Sequence, residues 1–506
     1  MIRQPQIYSP PLPNIQVEDD SWRRTGDFSR LANYLWLPLL LLLFVAFSFA
    51  TACFFYADLI KITLLLFALF AMGAHIWLSM KGGSIERKAP LFTFLGGTIL
   101  SYGIAVLGCV YFLEPYGFIF GLHVTVTFVL LLLTVLGTLL GSLVADLLWP
   151  PQKLQRCFSL GGGNVSPLTL LVFGFIWVSM MTENYVAGGF SARWETGNSL
   201  DPSSSLYVVS ALINITLPFF MLLGASCSKC FLSVGNLIRI SILAFCAIVF
   251  GMTGGREFAI RYGMYFLVGV LYSSTPLKYF KWLLITVFLG SLVFLYVVGA
   301  ARTMQNFGES SASDRLSMLA ETLSAGSEKD DSGEGAAFLL LTRIAEPSGQ
   351  IVIDHVTDTQ DYVGLMNLDR LIYLYVPKFV MPDKPSMDDG FERLVERHGF
   401  EYNPFSSAPI TLMADSYERG GYIATFFISL FISVFLVLYA RSFWLIPEPV
   451  LRAIFMVHFT VSCLRLYSFS LLGILTLLLY YLPKDFLFIF LIYFSVKIIP
   501  VRRNIL

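Results

Sequence analysis

Gly421-Tyr422-Ile423-Ala424-Thr425-Phe426-Phe427-Ile428-Ser429-Leu430-Phe431-Ile432-Ser433-Val434-Phe435-Leu436-Val437-Leu438-Tyr439-Ala440 carries no charged residue. A helix of about 20 residues is ~30 Å long, the hydrocarbon thickness of a bilayer. Comparable runs recur at 33–55, 60–79, 91–113, 118–140, 167–187, 206–226, 237–253, 258–275, 281–300, 447–464 and 467–483, giving about twelve spans. The whole chain of 506 residues is 56% hydrophobic and 13% charged, with a mean hydropathy of +0.71. An average soluble domain carries about 25% charged residues, so this balance excludes a soluble enzyme, a disordered chain and a secreted disulfide scaffold. The predicted fold is an all-α polytopic integral membrane protein with about 12 transmembrane helices (12–14). Segment 486–499 reads as an interfacial stretch or a thirteenth helix. The run 118–149 is too long for one span and reads as tilted or continued beyond the membrane.

The predicted order is a polar tail at 1–32, nine spans within 33–300, one large external segment at 301–420, and the last spans with a second tail at 421–506. The tail at 1–32 lacks the basic start, apolar core and small-residue cleavage site of a removable leader, so the first span is expected to act as an uncleaved insertion signal. The net charge is zero, but 301–420 has 10 Lys and Arg against 20 Asp and Glu, and the rest has 24 against 14. Basic residues gather in short cytoplasmic loops. Setting the N-terminus inside puts Arg23, Arg24, Arg30, Lys81, Arg87, Lys88, Lys153, Arg156, Lys229, Lys278, Lys281 and Arg441 on that side. The C-terminal tail follows, and the acidic 301–420 segment falls outside. A structureless connection of that length is unusual, so a folded periplasmic loop of short helices is expected around a mobile acidic stretch at 324–335. Cys227-Ser-Lys-Cys230 lacks the second ligand pair of a zinc site, and the seven cysteines read as free thiols.

Candidate polar groups lie at the outer ends of the spans. Arg256, in Gly254-Gly255-Arg256-Glu257, sits in a very short hairpin, where a charge near the membrane interior marks function; pairing of Glu257 with Arg261 is the structural alternative. Arg465 is either a snorkelling anchor or a second cation facing the same cavity. Arg343 and Glu346 share a helix face before Pro347, as a surface pair or as site residues. The segment Pro377-Lys378-Phe379-Val380-Met381-Pro382-Asp383-Lys384-Pro385 is pre-shaped by its prolines and either holds Lys384 at a fixed place or connects rigidly. Arg393, Arg397 and His398 follow on a predicted helix, where 393 and 397 share a face and solvated charge is the plainer reading. Asp415-Ser416-Tyr417-Glu418-Arg419-Gly420-Gly421 enters a span with two carboxylates and an arginine, the groups that acid–base chemistry on a membrane-anchored anion needs; helix capping is the alternative. Walker-type and dinucleotide fingerprints, an external DxD and HExxH are absent from the sequence. No cofactor, no metal site and no nucleic-acid partner is expected.

This pattern resembles the bacterial oligosaccharide repeat-unit polymerases, the Wzy or O-antigen polymerase family. The likeness rests on the spans, the glycine-rich hairpin at Arg256, the large external loop, the Pro377…Pro385 segment and the Asp415…Gly421 helix entrance, and covers mainly 235–440. The resemblance implies a multi-pass protein of the bacterial inner membrane, with both termini cytoplasmic and the loop periplasmic. It implies joining of undecaprenyl-pyrophosphate-linked oligosaccharides into a surface polysaccharide, with a flippase and a chain-length regulator as partners. Arg256, Arg343, Lys384, Arg419 and Arg465 become candidates for the pyrophosphate, since charge-assisted Arg–phosphate contacts are strong. Glu346, His398, Asp415 and Glu418 become candidates for the base. The rival readings are an O-antigen ligase, a transporter or flippase of lipid-linked sugars, and a scaffold of an export complex. The transporter reading requires ionisable residues deep within spans, which the sequence shows sparsely.

Overall fold

The computed structural model describes residues 59–81, 85–112, 123–149, 166–186, 213–228, 233–252, 256–271, 273, 282–285, 345, 347–376, 380–381, 383–387, 389–399 and 410–498. The predicted span at 33–55, the first seven residues of that at 206–226, most of that at 281–300, both tails and the acidic stretch 324–335 lie outside the described residues. Among the described residues all regular structure is helical. Among the described residues four helices are long and apolar enough to cross a membrane: Arg87–Val110, Val124–Leu148, Leu412–Leu445 and Leu471–Val496.

In chain order, α1 is Leu59–Lys81. Helix α2 runs from Ile85–Ile99 through a π-helical turn, Leu100–Ala105, into Val106–Phe112. Then come α3 (Val124–Leu148), α4 (Pro167–Val186), α5 (Pro218–Ala225), α6 (Val234–Met252) and α7 (Arg256–Leu271). Two short helices follow, α8 (Pro347–Thr359) and α9 (Gly390–His398). The chain closes with α10 (Leu412–Ser442), α11 (Pro449–Cys463) and α12, which joins Leu471–Thr476, a π-helical turn Leu477–Tyr481 and Leu482–Ile498. Proline opens α4, α5, α8 and α11, where its missing N–H costs nothing and its fixed φ suits the first turn.

Helix α10 is the shared pillar. Its N-terminal half belongs to one core with Leu65, Tyr102, Phe128, Leu131 and Ile353 from α1, α2, α3 and α8. Its C-terminal half belongs to a second core with Phe220, Phe266, Phe459 and Phe486 from α5, α7, α11 and α12. Close approach depends on small residues, the usual device where helices meet in lipid. A Cβ on Gly137 or Gly141 of α3 would strike the carbonyls of Phe426 or Leu430 on α10, and Ser433 Oγ donates to Thr138 O at 2.6 Å. On the far side Gly224 of α5 and Gly269 of α7 meet each other's backbones in the same way. At the C-terminal end of α10, Arg441 pairs with Asp146 and donates to the carbonyls of Ala145 (2.8 Å) and Trp149, while Lys88 binds Asp146 at 2.8 Å. Those carbonyls end α3, where a cation is favoured. Large apolar side chains such as Phe70, Leu147, Phe175, Ile423 and Leu487 remain exposed, as a lipid-facing surface requires.

Two boundaries differ from the sequence reading. The helix expected from 421 begins at Leu412 and is kinked at Gly421, whose φ of 69° and ψ of −153° only glycine adopts readily. The stretches read separately as 467–483 and 486–499 are one helix, α12. Pro483 does not break it, because it follows the π-helical turn, where the hydrogen-bond ladder is already offset. In that turn the N–H bonds run five residues back, as from Leu482 to the carbonyl of Leu477, and the Tyr375 hydroxyl donates to the Leu479 carbonyl at 2.6 Å. Tyr375→Phe is expected to cost about 0.5–1.5 kcal/mol, the net contribution of one hydrogen bond, measured as a lower melting temperature in detergent; an unchanged melting temperature would show that the bond contributes nothing.

Candidate functional site

The kink at Gly420-Gly421 leaves the carbonyls of Glu418 and Arg419 to be taken by the loop before the 3-10 turn Leu368–Tyr373: Val363 N–H donates to Glu418 O at 2.9 Å and Gly364 N–H to Arg419 O at 3.2 Å. Helix α9 is laid against the same turns. It starts behind Asp389 and stops at Gly399, left-handed with φ 63°, the residue type that ends helices at no steric cost. The start of α12 comes in from a third direction, with Ser470 capping it by accepting from Gly473 N–H.

Arg393 sits where these elements meet and is fully buried. Its guanidinium contacts Asp389 (Nε, 3.1 Å), Glu418 and Asp415. Arg419 donates through Nε to Asp415 at 3.1 Å and through Nη1 to the carbonyls of Gly364 and Met366 at 2.9 and 3.1 Å. Arg397 reaches Asp361 at 2.8 Å and Glu418 at 3.3 Å, and its side chain is 24% exposed, the most open of the three guanidinium groups. Asp415 also accepts the Leu471 N–H at 2.7 Å, and Asp389 accepts from Ser470 and from Asn367, both at 3.1 Å. Three carboxylates thus face three guanidinium groups in a dry volume. Burial alone lowers the affinity of Arg393 for its proton, but Asp415, Glu418 and Asp389 outweigh it and hold the pKa above the ordinary value. A buried set of this kind is tolerated only when each charge is paired and hydrogen-bonded.

His398 completes the cluster. Its Nε2 lies 3.1 Å from Glu418 Oε1, its side chain is fully buried, and the His355 ring meets it edge-on at 4.8 Å. Nδ1 has no hydrogen-bond partner among the described residues. A carboxylate bound to one ring nitrogen fixes the N–H there and leaves the other nitrogen as an acceptor, the arrangement of an oriented general base.

Of the residues singled out from sequence, Asp415, Glu418, Arg419 and His398 converge. Lys384 lies apart, its ammonium donating to the carbonyls of Leu374 (3.1 Å) and Val376 (2.8 Å), with burial lowering its pKa. Arg465 stacks over the Phe469 ring at 5.2 Å, just before the Ser470 cap. Arg256 begins α7, but its side chain, like Arg343 and Glu346, lies outside the described residues. Arg261 donates to Asn214 at 3.2 Å. The reading of Arg393 as solvated charge is overturned, because the residue is buried by α10 and α12. Asp389, Arg393 and Arg397 were not among the expected site residues. One signal was present: Asp389 and Arg393, like Asp415 and Arg419, stand four apart, the spacing of an intrahelical pair. Among the described residues no three His, Cys, Asp or Glu side chains are grouped to hold a metal ion.

An apolar shelf adjoins the cluster. Leu365, Ile372, Tyr375 and Val380 are all more than half exposed. The shelf is pinned by the Arg370–Glu392 pair at 2.7 and 3.0 Å and by the Tyr375–Leu479 bond. Leu479 is ~12 Å along α12 from Leu471 on the ~1.5 Å rise per residue, so the shelf reaches well down the side of the bundle. No family model, curated protein or solved structure matches the chain.

Proposed function

We propose that the protein is a glycosyltransferase that joins polyprenyl-pyrophosphate-linked oligosaccharides into a surface polysaccharide, as the polymerases it resembles do. The observation that carries this reading is His398, held by Glu418 with Nδ1 unpartnered, among arginines at one end of the bundle. In the reaction, the bond between the anomeric carbon of the growing chain and its pyrophosphate breaks, and a new bond forms to a hydroxyl of the incoming unit. His398 Nδ1, buried in this structure, takes the hydroxyl proton once the incoming unit displaces the side chains that cover it. Arg397, the most accessible guanidinium of the cluster, grips the departing pyrophosphate, and Arg393 and Arg419 keep the carboxylates in register. The shelf at Leu365 and Ile372 offers the polyprenyl tails an apolar surface beside the site.

On this reading the cluster faces the periplasm of a bacterial inner membrane, and the apolar runs outside the described residues bring the total to about twelve spans. Arg87, Lys88, Arg441 and Arg452, at the opposite end of the bundle, satisfy the positive-inside tendency. Both termini are then cytoplasmic, and a flippase and a chain-length regulator act alongside. A transporter of lipid-linked sugars is the second reading, favoured by an ionisable pair within a span, Asp485 with His458. Deleting the gene in the native host and resolving surface glycan on a gel separates the readings. Carriers bearing one repeat unit are expected for the polymerase. Complete loss of surface glycan would overturn it in favour of transport or ligation.

A further inference from the structure

A second cluster of titratable groups lies far from the first. Asp485 is ~21 Å along α12 from Leu471 on the ~1.5 Å helical rise, near the middle of the candidate span Leu471–Val496. His458 of α11 faces it, with Nε2 3.4 Å from Asp485 Oδ2, and Tyr265 of α7 meets His458 Nδ1 at 2.7 Å. All three are at most 2% exposed. His458 Nε2 and Asp485 Oδ1 have no well-formed hydrogen bond among the described residues. Charge in a span is expensive and is retained chiefly where it works. Helix glue needs no ionisable pair, since serine or asparagine would supply the same bonds.

We propose that Asp485 and His458 form a proton-binding site within the membrane. This inference does not depend on the glycan-joining function. With Tyr265 donating to Nδ1, the imidazole N–H is on Nε2, which lies 3.4 Å from Asp485 Oδ2 without an aligned hydrogen bond. A proton arriving from water forms the new N–H bond at Nδ1, Tyr265 turns from donor to acceptor, and the pair becomes imidazolium and carboxylate. No electrons move. Lys484, with Nζ 3.9 Å from Asp485 Oδ1 and 5.2 Å over the Tyr481 ring, carries the other nearby charge. The group of Lys484, Asp485 and His458 therefore passes from neutral to a single positive charge.

The other described ionisable side chains on the packed helices are committed elsewhere or lie further out. Arg261 of α7 acts on Tyr265 through space and donates to Asn214. Arg452 of α11 donates to Ile446 O at 2.9 Å. Tyr493 of α12 donates to Glu448 at 3.0 Å, and Cys463 is buried at the end of α11. Tyr439 of α10 packs on Phe486, and Glu183 of α4 is exposed. Because the proton sits where α7, α11 and α12 meet, its uptake changes the charge that holds these three helices together.

The test is nitrogen NMR of the full chain in lipid nanodiscs with labelled histidine, the His458 resonance being the one lost in His458→Gln. That resonance is expected to change protonation state between roughly pH 5 and 8, the range in which imidazole serves as a switch. In Asp485→Asn its midpoint is expected to move at least about one unit toward acid, a tenfold loss of proton affinity. If His458→Gln fails to insert, Tyr265→Phe identifies the resonance by removing its hydrogen bond at Nδ1. A His458 signal fixed in one state across that range, or a midpoint unmoved by Asp485→Asn, overturns the proposal.

Discussion

Arg393→Ala is expected to lower stability by about 3–5 kcal/mol, the range found when one partner of a buried ion pair is removed. Asp389, Asp415 and Glu418 would keep their burial and lose the cation they share. Arg419 and Arg397 compensate only in part, since Arg419 is fixed to Asp415 and two backbone carbonyls while Arg397 stands at the rim. Arg393→Lys should recover only part of the loss, because a single ammonium cannot meet three carboxylates as a planar fork does. Arg393→Met, with similar volume and no charge, should behave like alanine, which separates lost charge from lost packing. Denaturation of the detergent-solubilised protein, followed by helicity and by accessibility of the buried cysteines, measures all three. A loss below about 1 kcal/mol for the alanine variant, the scale of an exposed pair, would mean that water reaches the cluster.

His398→Gln is expected to reduce glycan extension by about 10²–10⁴-fold, the usual contribution of a general base, while leaving the unfolding free energy within about 1 kcal/mol of wild type. Glutamine retains an N–H for Glu418 but supplies no basic nitrogen at the Nδ1 position. Glu418→Gln removes the orienting acceptor and one partner of Arg393, so it should lose both activity and stability. The two variants therefore distinguish a group that moves a proton from one that holds the site together. Extension in the deletion host at more than half the wild-type rate with His398→Gln would remove the residue from the chemistry.

Much of the fold can be read from local pattern. The uncharged run after Gly421, the paired glycines and the prolines opening helices each act within a few residues, so the sequence shows them directly. The last helix was harder. Leu482-Pro483-Lys484-Asp485 has the composition of a break, and it continues as helix because the π-helical turn before it has already offset the hydrogen-bond ladder, while Tyr375, more than a hundred residues earlier, donates to Leu479 in that turn. The site was half legible. Asp415, Glu418 and Arg419 stood out as charge at a span entrance and His398 on the helix before it, whereas Arg393 read as solvated charge and Asp389 was not singled out.

By itself the sequence determined the helical class, the length and apolarity of the crossing segments, and the concentration of charge between 301 and 420. Those quantities are sums over neighbouring residues, and hydrophobic transfer responds to such sums. Only the tertiary structure decided that Arg393 is dry, that His398 is aimed by Glu418, and that Asp485 meets His458 at mid-span. Each depends on which distant surfaces exclude water from one another, and the energy of a charge is set by that exclusion more than by its place in the chain.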